Sequence, residues 1–347
     1  MFKIAVDLGY GYVKGINELG KTVIIRTAVG TGSDRQLANL FGGSERTNEH
    51  IIISHNGVES RYYIGNLARR ESRSVSSPFE KNKIDNPSTK ILLAAAYAML
   101  TDGNTGPVHL VTGPPLLYAK EQRDSFEKNL TGYQSTLQFV GSKKFYVVKF
   151  DKVTVFPQGA AVVYDMLKKN PELAKPGKTF VIVEIGYKST EILMFRIDES
   201  NRIAPISDFS TTLELGMSFV EKAIDEEFFQ KTGSKLIPSA IDRIMTGSPT
   251  ISFRGREITL EDARNRAKDE FARNIIDGVS QVLGEQIDFI DKLVFAGGVV
   301  SDQYIAARLK ALMKTEFTII EDSQFANARG MLEVAKLLEA RGAIRTA

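Results

Sequence analysis

Apolar residues along the chain fall into two kinds of run. Short alternating or continuous runs broken by Gly and polar clusters have the period of strands, and longer runs with an apolar residue every third or fourth position have that of helices. Residues 2–8 (FKIAVDL) and 11–17 (GYVKGIN) read as strands around a Gly-rich turn, and 21–29 (KTVIIRTAV) as a third, which makes an antiparallel meander. Residues 30–49 are polar and Gly-rich and read as a long loop, of a length that usually serves a function. Strands are predicted at 50–54 and 61–65, a helix over 87–100 opening at Ser88, and a buried strand at 107–113 stopped by Pro114 and Pro115. A helix over 116–130, strands within 133–155 and a helix over 157–169 follow. The stretch 169–178 (KNPELAKPGK) is the candidate hinge, because Pro and Gly break both periods. The pattern then restarts with strands at 179–185, 190–197 and 203–212, and helices near 216–231 and 237–246. A long helix over 259–284, a strand at 290–296 and helices over 302–313 and 324–341 end it. A meander followed by mixed strands and helices, twice over, predicts a duplicated α/β protein.

The restart repeats a motif as well as a composition. Ile4-Ala5-Val6-Asp7-Leu8-Gly9 and Val181-Ile182-Val183-Glu184-Ile185-Gly186 both place an acid, an apolar residue and Gly where a strand enters a tight turn, 177 positions apart. Gly lets backbone N–H groups approach an anion without a Cβ clash, and successive amides in a turn form a positive concavity suited to phosphate. A carboxylate beside it would repel phosphate unless a cation intervened. Asp7 and Glu184 therefore read as anchors of Mg²⁺, which takes one or two carboxylates together with water and phosphate oxygens. A third element, Phe295-Ala296-Gly297-Gly298-Val299-Val300-Ser301, ends a buried strand before a helix, where paired glycines allow the backbone to lie against a planar ring or ribose. The chain has no GxGxxG, so a dinucleotide fold does not compete; residues 15–22 (GINELGKT) spell GxxxxGK[ST], but they fall between the predicted strands 11–17 and 21–29 and not between a strand and a helix, so no P-loop is expected.

Composition narrows the chemistry further. With no Cys, disulfides, thiolate nucleophiles and Cys-based metal sites are excluded, and the three His (His50, His55, His109) show no ligand spacing. A net charge of +3 from 45 basic and 42 acidic residues is too balanced for a nucleic-acid surface, so direct nucleic-acid binding is not expected. No apolar run reaches the ~18 residues of a membrane span and the N-terminus lacks a signal-peptide pattern, so a cytoplasmic protein with no direct membrane partner is expected.

Three segments in order carry a resemblance: Asp7-Leu8-Gly9-Tyr10-Gly11-Tyr12-Val13-Lys14, then Glu184-Ile185-Gly186-Tyr187-Lys188-Ser189-Thr190-Glu191, then Phe295-Ala296-Gly297-Gly298. They resemble the first phosphate, second phosphate and adenosine motifs of the actin/Hsp70/sugar-kinase superfamily, most closely the ParM-type prokaryotic actin-like proteins that segregate plasmids. Phe156-Pro157-Gln158-Gly159-Ala160-Ala161 is similar to the first connecting helix of that family, and Asp322-Ser323-Gln324-Phe325-Ala326-Asn327-Ala328-Arg329-Gly330 to its helix-opening signature. The resemblance spans residues 2 to about 333. It implies an α/β, two-domain actin-like fold, a duplicated ribonuclease H-like unit with the nucleotide cleft between the domains. The implied boundaries are 1–160, 161–325, and a C-terminal helix 326–347 returning to the first domain.

The implied activity is a slow Mg-dependent nucleoside triphosphatase, on ATP or GTP, that times the turnover of a filament of self-associated chains, with a DNA-binding adaptor linking the filament to plasmid DNA. The implied site has Asp7 and Glu184 at the metal and Gln158 orienting the attacking water. Gly9, Tyr10, Gly11, Tyr12, Lys14, Gly186, Tyr187, Lys188 and Ser189 lie at the phosphates, and Gly216, Gly297, Gly298 and Val299 at the nucleoside. Lys14 reads either as a ligand of the β/γ oxygens or as a solvated strand lysine, and Lys188 as a phosphate contact or solvated. Tyr10 and Tyr12 either pack on the core or cover the phosphates. Glu221 and Lys222 read as a solvated helix pair before they read as base contacts, with Arg243 of similar standing, and Gln324 and Asn327 as cap and packing residues. Glu184 departs from the Asp usual at its position, and Lys188 from a second Gly. The 30–49 loop is a candidate filament contact. Two alternatives are a metabolic phosphotransferase of the same fold, for which no acceptor-site carboxylate stands out, and a non-polymerising binding protein.

Overall fold

The apolar run at the N-terminus forms β1 (Phe2–Leu8), which pairs antiparallel with β2 (Tyr12–Asn17), itself antiparallel to β3 (Thr22–Arg26). The computed structural model describes residues 1–33, 48–77, 83–102, 104 and 106–346. Most of the 30–49 loop, and with it the candidate filament contact, lies outside the described residues. Two compact units divide the chain, one made of Met1–Tyr164 with Asn327–Ala347 and the other of Asp165–Ala326. The division falls inside a helix, between Tyr164 and Asp165, so the Pro/Gly stretch 169–178 is not a hinge between units but part of the second one.

In the first unit β8 (Val108–Thr112) runs parallel to β1, and β11 (Lys152–Val155) parallel to β8, giving the order β11-β8-β1-β2-β3. Six further strands form a second sheet: β4 (Val29–Thr31), β5 (His50–His55), β6 (Val58–Ile64), β7 (Val75–Ser76), β9 (Gln134–Phe139) and β10 (Phe145–Lys149). The run expected as one strand over 21–29 breaks at Thr27 and Ala28, and its end joins this second sheet as β4. After β6 comes α1 (Gly65–Glu71), a short helix that the periodicity did not predict.

α2 (Pro87–Thr101) opens one position earlier than expected. Asn86 accepts the N–H of Ser88 on its side chain and Pro87 supplies the first turn, so Asn86 rather than Ser88 is the cap. This helix carries almost no polar face because it packs against β1, β2 and β3 on one side and β9 and β10 on the other. α3 (Ala119–Leu130) follows a short 3-10 turn, and α4 (Ala160–Lys169) starts only after Pro157 and the left-handed Gly159 (φ 69°). The far face of the five-stranded sheet is covered by small residues of α4 and of the last helix, α9 (Ala326–Thr346), with Ala5, Val111, Ala161, Ala328 and Met331 in one cluster.

The second unit repeats the plan. β12 (Thr179–Ile185) is antiparallel to β13 (Thr190–Ile197), which pairs antiparallel with β14 (Ile203–Leu213), while β17 (Lys292–Ala296) and β18 (Thr318–Ile319) follow in parallel. The order β14-β13-β12-β17-β18 matches β3-β2-β1-β8-β11 strand for strand and direction for direction. Its core, including Phe228, Phe271 and Phe295, lies under α5 (Ser218–Thr232), α7 (Glu261–Leu283) and α8 (Gln303–Leu312), with α6 (Pro238–Thr246) beside α5. A hairpin of β15 (Thr250–Phe253) and β16 (Arg256–Thr259) precedes α7. It escapes the sequence pattern because its strands are four residues long and its turn puts a non-Gly residue, Arg254, at φ 51° before Gly255 at φ 77°. Among the described residues no helix is long and apolar enough to cross a membrane.

Candidate functional site

In each unit the candidate residues gather at the carboxyl ends of the parallel strands, where open α/β sheets place their ligands. At the end of β1, Asp7 faces Lys14 across the β1–β2 register, and Lys14 Nζ lies 2.8 Å from Asp7 Oδ2 with both side chains buried. Lys14 is thus no solvated strand lysine. The other oxygen, Asp7 Oδ1, is buried and has no hydrogen-bond partner. A buried polar atom left unsatisfied costs ~1–3 kcal/mol, so the position is suited to a group that donates to it.

The turn itself is tied back through its carbonyls. Thr27 Oγ1 donates to Gly9 O at 2.8 Å, the Thr27 N–H donates to Gly11 O at 2.9 Å, and Lys83 Nζ donates to Leu8 O at 2.6 Å. A Cβ on Gly9 would sit 2.5 Å from Tyr12 O, so the turn closes this tightly only with glycine there. Both turn tyrosines pack on cations. Tyr12 accepts from Arg26 at 2.9 Å beneath its guanidinium, and the Tyr10 ring centroid lies 3.5 Å from Lys83 Nζ. Thr27, Arg26 and Lys83 carry no motif, and sequence reading missed all three.

Gln158 is buried beside the end of β8. Its Nε2 donates to Gly113 O at 2.9 Å and its N–H to Pro114 O at 2.8 Å. Since the Gly113 carbonyl can only accept, the amide nitrogen faces it and Oε1 is turned away as the acceptor. The Gly159 N–H donates to Asn327 Oδ1 at 2.8 Å, so Asn327 acts as a cap on the approach to α4.

At the end of β12, Glu184 stands where Asp7 does in the first unit, and its register partner is Glu191, which is buried. The same seven-residue spacing therefore pairs acid with lysine in one half and acid with acid in the other. The turn closes with the Gly186 N–H on Ser189 O at 2.9 Å, and Lys188 is exposed at its tip. The first N–H groups at α5 are occupied by this turn, Met217 donating to Gly186 O at 3.1 Å and Ser218 to Tyr187 O at 2.8 Å. A Cβ on Gly216 would lie 2.5 Å from Tyr187 O, so the close packing of this turn requires glycine there. Tyr187 donates to Glu221 Oε2 at 2.6 Å, which makes Glu221 a brace of the turn and not half of a solvated pair, while Lys222 and Arg243 are exposed.

Gly297 adopts φ 96°, and a Cβ there would meet Ile185 O at 2.3 Å, so the backbone just past β17 comes this close to the end of β12 only with glycine there. Its N–H donates to Ser323 O at 3.2 Å, and the nearest atom to a Cβ on Gly298 would be Gln324 Cγ at 3.9 Å, leaving an open backbone face. The side chain of Val299 belongs to the second core. Among the described residues no group of three or more His, Asp or Glu could hold a metal ion by itself. In the first turn the orphaned Asp7 Oδ1 suits a donor such as a water of a hydrated Mg²⁺, because that ion keeps most of its hydration and takes few carboxylates.

Family models match both parts of the chain. Residues 5–160 match the actin-like proteins N-terminal domain, and residues 182–309 the C-terminal model of the archaeal MreB-like actin homologue. Among solved structures, a 15-stranded ParM filament from Clostridium botulinum is 30% identical with a TM-score of 0.86, covering 97% of this chain and 99% of that one. A non-polymerisable quadruple mutant of pCBH ParM is also 30% identical, with a TM-score of 0.84 over 97% and 99% of the two chains. An archaeal actin homologue in complex with ADP shares the fold at 18% identity, with a TM-score of 0.76 over 97% and 99%. Comparison with curated proteins gave no match.

Proposed function

The chain belongs to the actin-like proteins of the ParM type, and on that premise we propose that it is a nucleotide-dependent polymerising protein whose filaments turn over by slow hydrolysis. The observation that carries this reading is the buried Asp7–Lys14 pair with its orphaned Oδ1 at a tight glycine turn, repeated as an acid–glycine turn at Glu184. The nucleotide is ATP, with GTP as the alternative, and each unit offers it one turn. Gly9 and Gly11 of the first unit and Gly186 to Ser189 of the second present backbone to the phosphates, and Lys14 offers its ammonium to the β/γ oxygens. Gly297 and Gly298 provide the flat backbone for the nucleoside. Bound Mg²⁺ would neutralise phosphate charge, held through water by Asp7 and Glu184.

Gln158 holds the attacking water. With Nε2 fixed on Gly113 O, its Oε1 accepts a water proton and aims the oxygen lone pair at phosphorus. An amide is a poor base, so the residue orients and does not deprotonate, and turnover is slow. That rate suits a timer of filament life better than a metabolic enzyme. Self-association into filaments is supported by the ParM filament among the matched structures, and by extension the cargo is plasmid DNA reached through a DNA-binding adaptor.

Nucleotide binding by the purified chain and by Asp7→Ala, with and without Mg²⁺, tests the site, and pelleting with and without nucleotide tests assembly. The expected result is tight Mg-dependent binding and nucleotide-dependent pelleting in the native chain, both lost in the variant. Unchanged Mg-dependent hydrolysis in Asp7→Ala would remove Asp7 from the site. Binding without pelleting at any concentration would leave a non-polymerising nucleotide-binding protein.

A further inference from the structure

Behind the first turn sits a buried amine that no nucleotide motif accounts for. Lys83 belongs to a short 3-10 turn (Lys83–Asp85) just ahead of α2 and is only 3% exposed. Burying an ammonium is costly unless its donors are satisfied, and a lysine near a surface ordinarily extends its stem to keep the charge in water. Here the amine instead turns inward, to Leu8 O at 2.6 Å and to the face of the Tyr10 ring at 3.5 Å. These two contacts fall at the opening of the turn, on Leu8 and Tyr10, which flank Gly9.

The backbone carrying Lys83 is itself fixed. Thr89 Oγ1 donates to Lys83 O at 2.6 Å and the Asn86 N–H donates to the same carbonyl at 3.1 Å, so the lysine is anchored to the capped start of α2. A helix that packs on both sheets of the unit thereby reaches the turn through one side chain. The placement also brings a positive charge to the inner side of a turn whose outer side is read as a phosphate site, in surroundings where water screens it little.

Resting on the nucleotide reading above, we propose that Lys83 is a positioning residue for the nucleotide phosphates. It holds the Leu8 carbonyl and the Tyr10 ring so that the backbone from Gly9 to Gly11 stays presented to a polyphosphate, and its charge favours the anion. It touches the turn and not the nucleotide, so its effect falls on affinity and not on the hydrolytic step.

Lys83→Met keeps the apolar stem and removes both donor and charge. Losing a charged hydrogen bond of this kind predicts a Kd for a fluorescent ATP analogue with Mg²⁺ raised about tenfold, with turnover at saturating ATP changed by no more than about twofold. A purely structural lysine would lower Tm and the folded fraction but leave the Kd of the folded protein at its native value, and that result overturns the proposal. Should the variant not fold, amine acylation of the native chain read by mass spectrometry replaces it. Lys83 should then label several-fold more slowly with Mg-ATP bound, and an equal rate with and without Mg-ATP counts against the proposal. Failure of the native chain to bind Mg-ATP would instead sink the nucleotide reading, so the two failures are distinguishable.

Discussion

At the scale of single residues, chemistry is set by which atom of each side chain is already engaged. Gln158 has its donor committed to Gly113 O, which leaves Oε1 as its acceptor, the atom proposed to hold the attacking water. Gln158→Ala should therefore slow hydrolysis by about 10²-fold while leaving nucleotide affinity within a factor of about two, since only organisation of the transition state is removed. Parallel loss of binding in single-turnover and equilibrium measurements would make the residue structural. His109 illustrates the same logic away from the site. It is buried on β8 with Nε2 2.8 Å from Thr154 Oγ1, and burial, helped by Lys152 and Lys3, pushes its pKa down to about 4. Because the folded value lies below the unfolded one, the folded state gives up stability as pH falls from about 6.5 toward 4, where the unfolded chain takes up the proton first. Between pH 7 and pH 5 the native chain should lose about 2 kcal/mol that His109→Gln does not lose. Urea unfolding of the two at both pH values is the measurement, and parallel pH profiles would show that His109 does not titrate as its burial demands.

At the scale of elements, close approach between backbones decides where glycine is required. Gly330 on α9 lies so close to α4 that an added Cβ would fall 1.7 Å from Ala161 O, a backbone atom with no rotamer to yield. Gly330→Ala should accordingly cost about 3 kcal/mol or more, at the upper end for overpacking, and should separate α9 from α4. Thermal unfolding of the full chain checks it, and a Tm within a degree of the native value would mean that the helices slide apart freely. Gly57, whose added Cβ would meet nothing within 4 Å, is an instructive contrast, since its requirement is only its φ of 78°.

At the scale of the whole molecule, one sheet plan is duplicated, with an acid–glycine turn at the same strand end in each unit, and the proposed function draws on that repeat. A head-to-tail contact between chains that matches only one nucleotide state would assemble and dissolve with hydrolysis. Light scattering with Mg-ATP should show a critical concentration, followed by decay as nucleotide is consumed, whereas a slowly hydrolysed analogue should give filaments that persist. Equal decay with both nucleotides would uncouple disassembly from hydrolysis.

The chain's own pattern was enough to establish the duplicated α/β plan and the two acid–glycine turns, because strand period, helix period and glycine placement are local properties of consecutive residues. The two hairpins were legible for that reason, as were α2, α7 and the long terminal helix, within a few residues at their ends. The rest depended on contacts between residues far apart in the chain. Lys83 reaches Leu8 across 75 positions, and Asn327 caps Gly159 across 168. The pairing of Asp7 with Lys14 but of Glu184 with Glu191 follows from strand register, and the burial of Lys14 and Glu221 from what packs over them. No short window of sequence contains Leu8 with Lys83 or Gly159 with Asn327, and the acid pairings, though only seven residues apart, are set by hairpin register rather than by order in the chain. Periodicity reports which face of an element is apolar, and only the folded chain decides what that face, and the polar groups beside it, will touch.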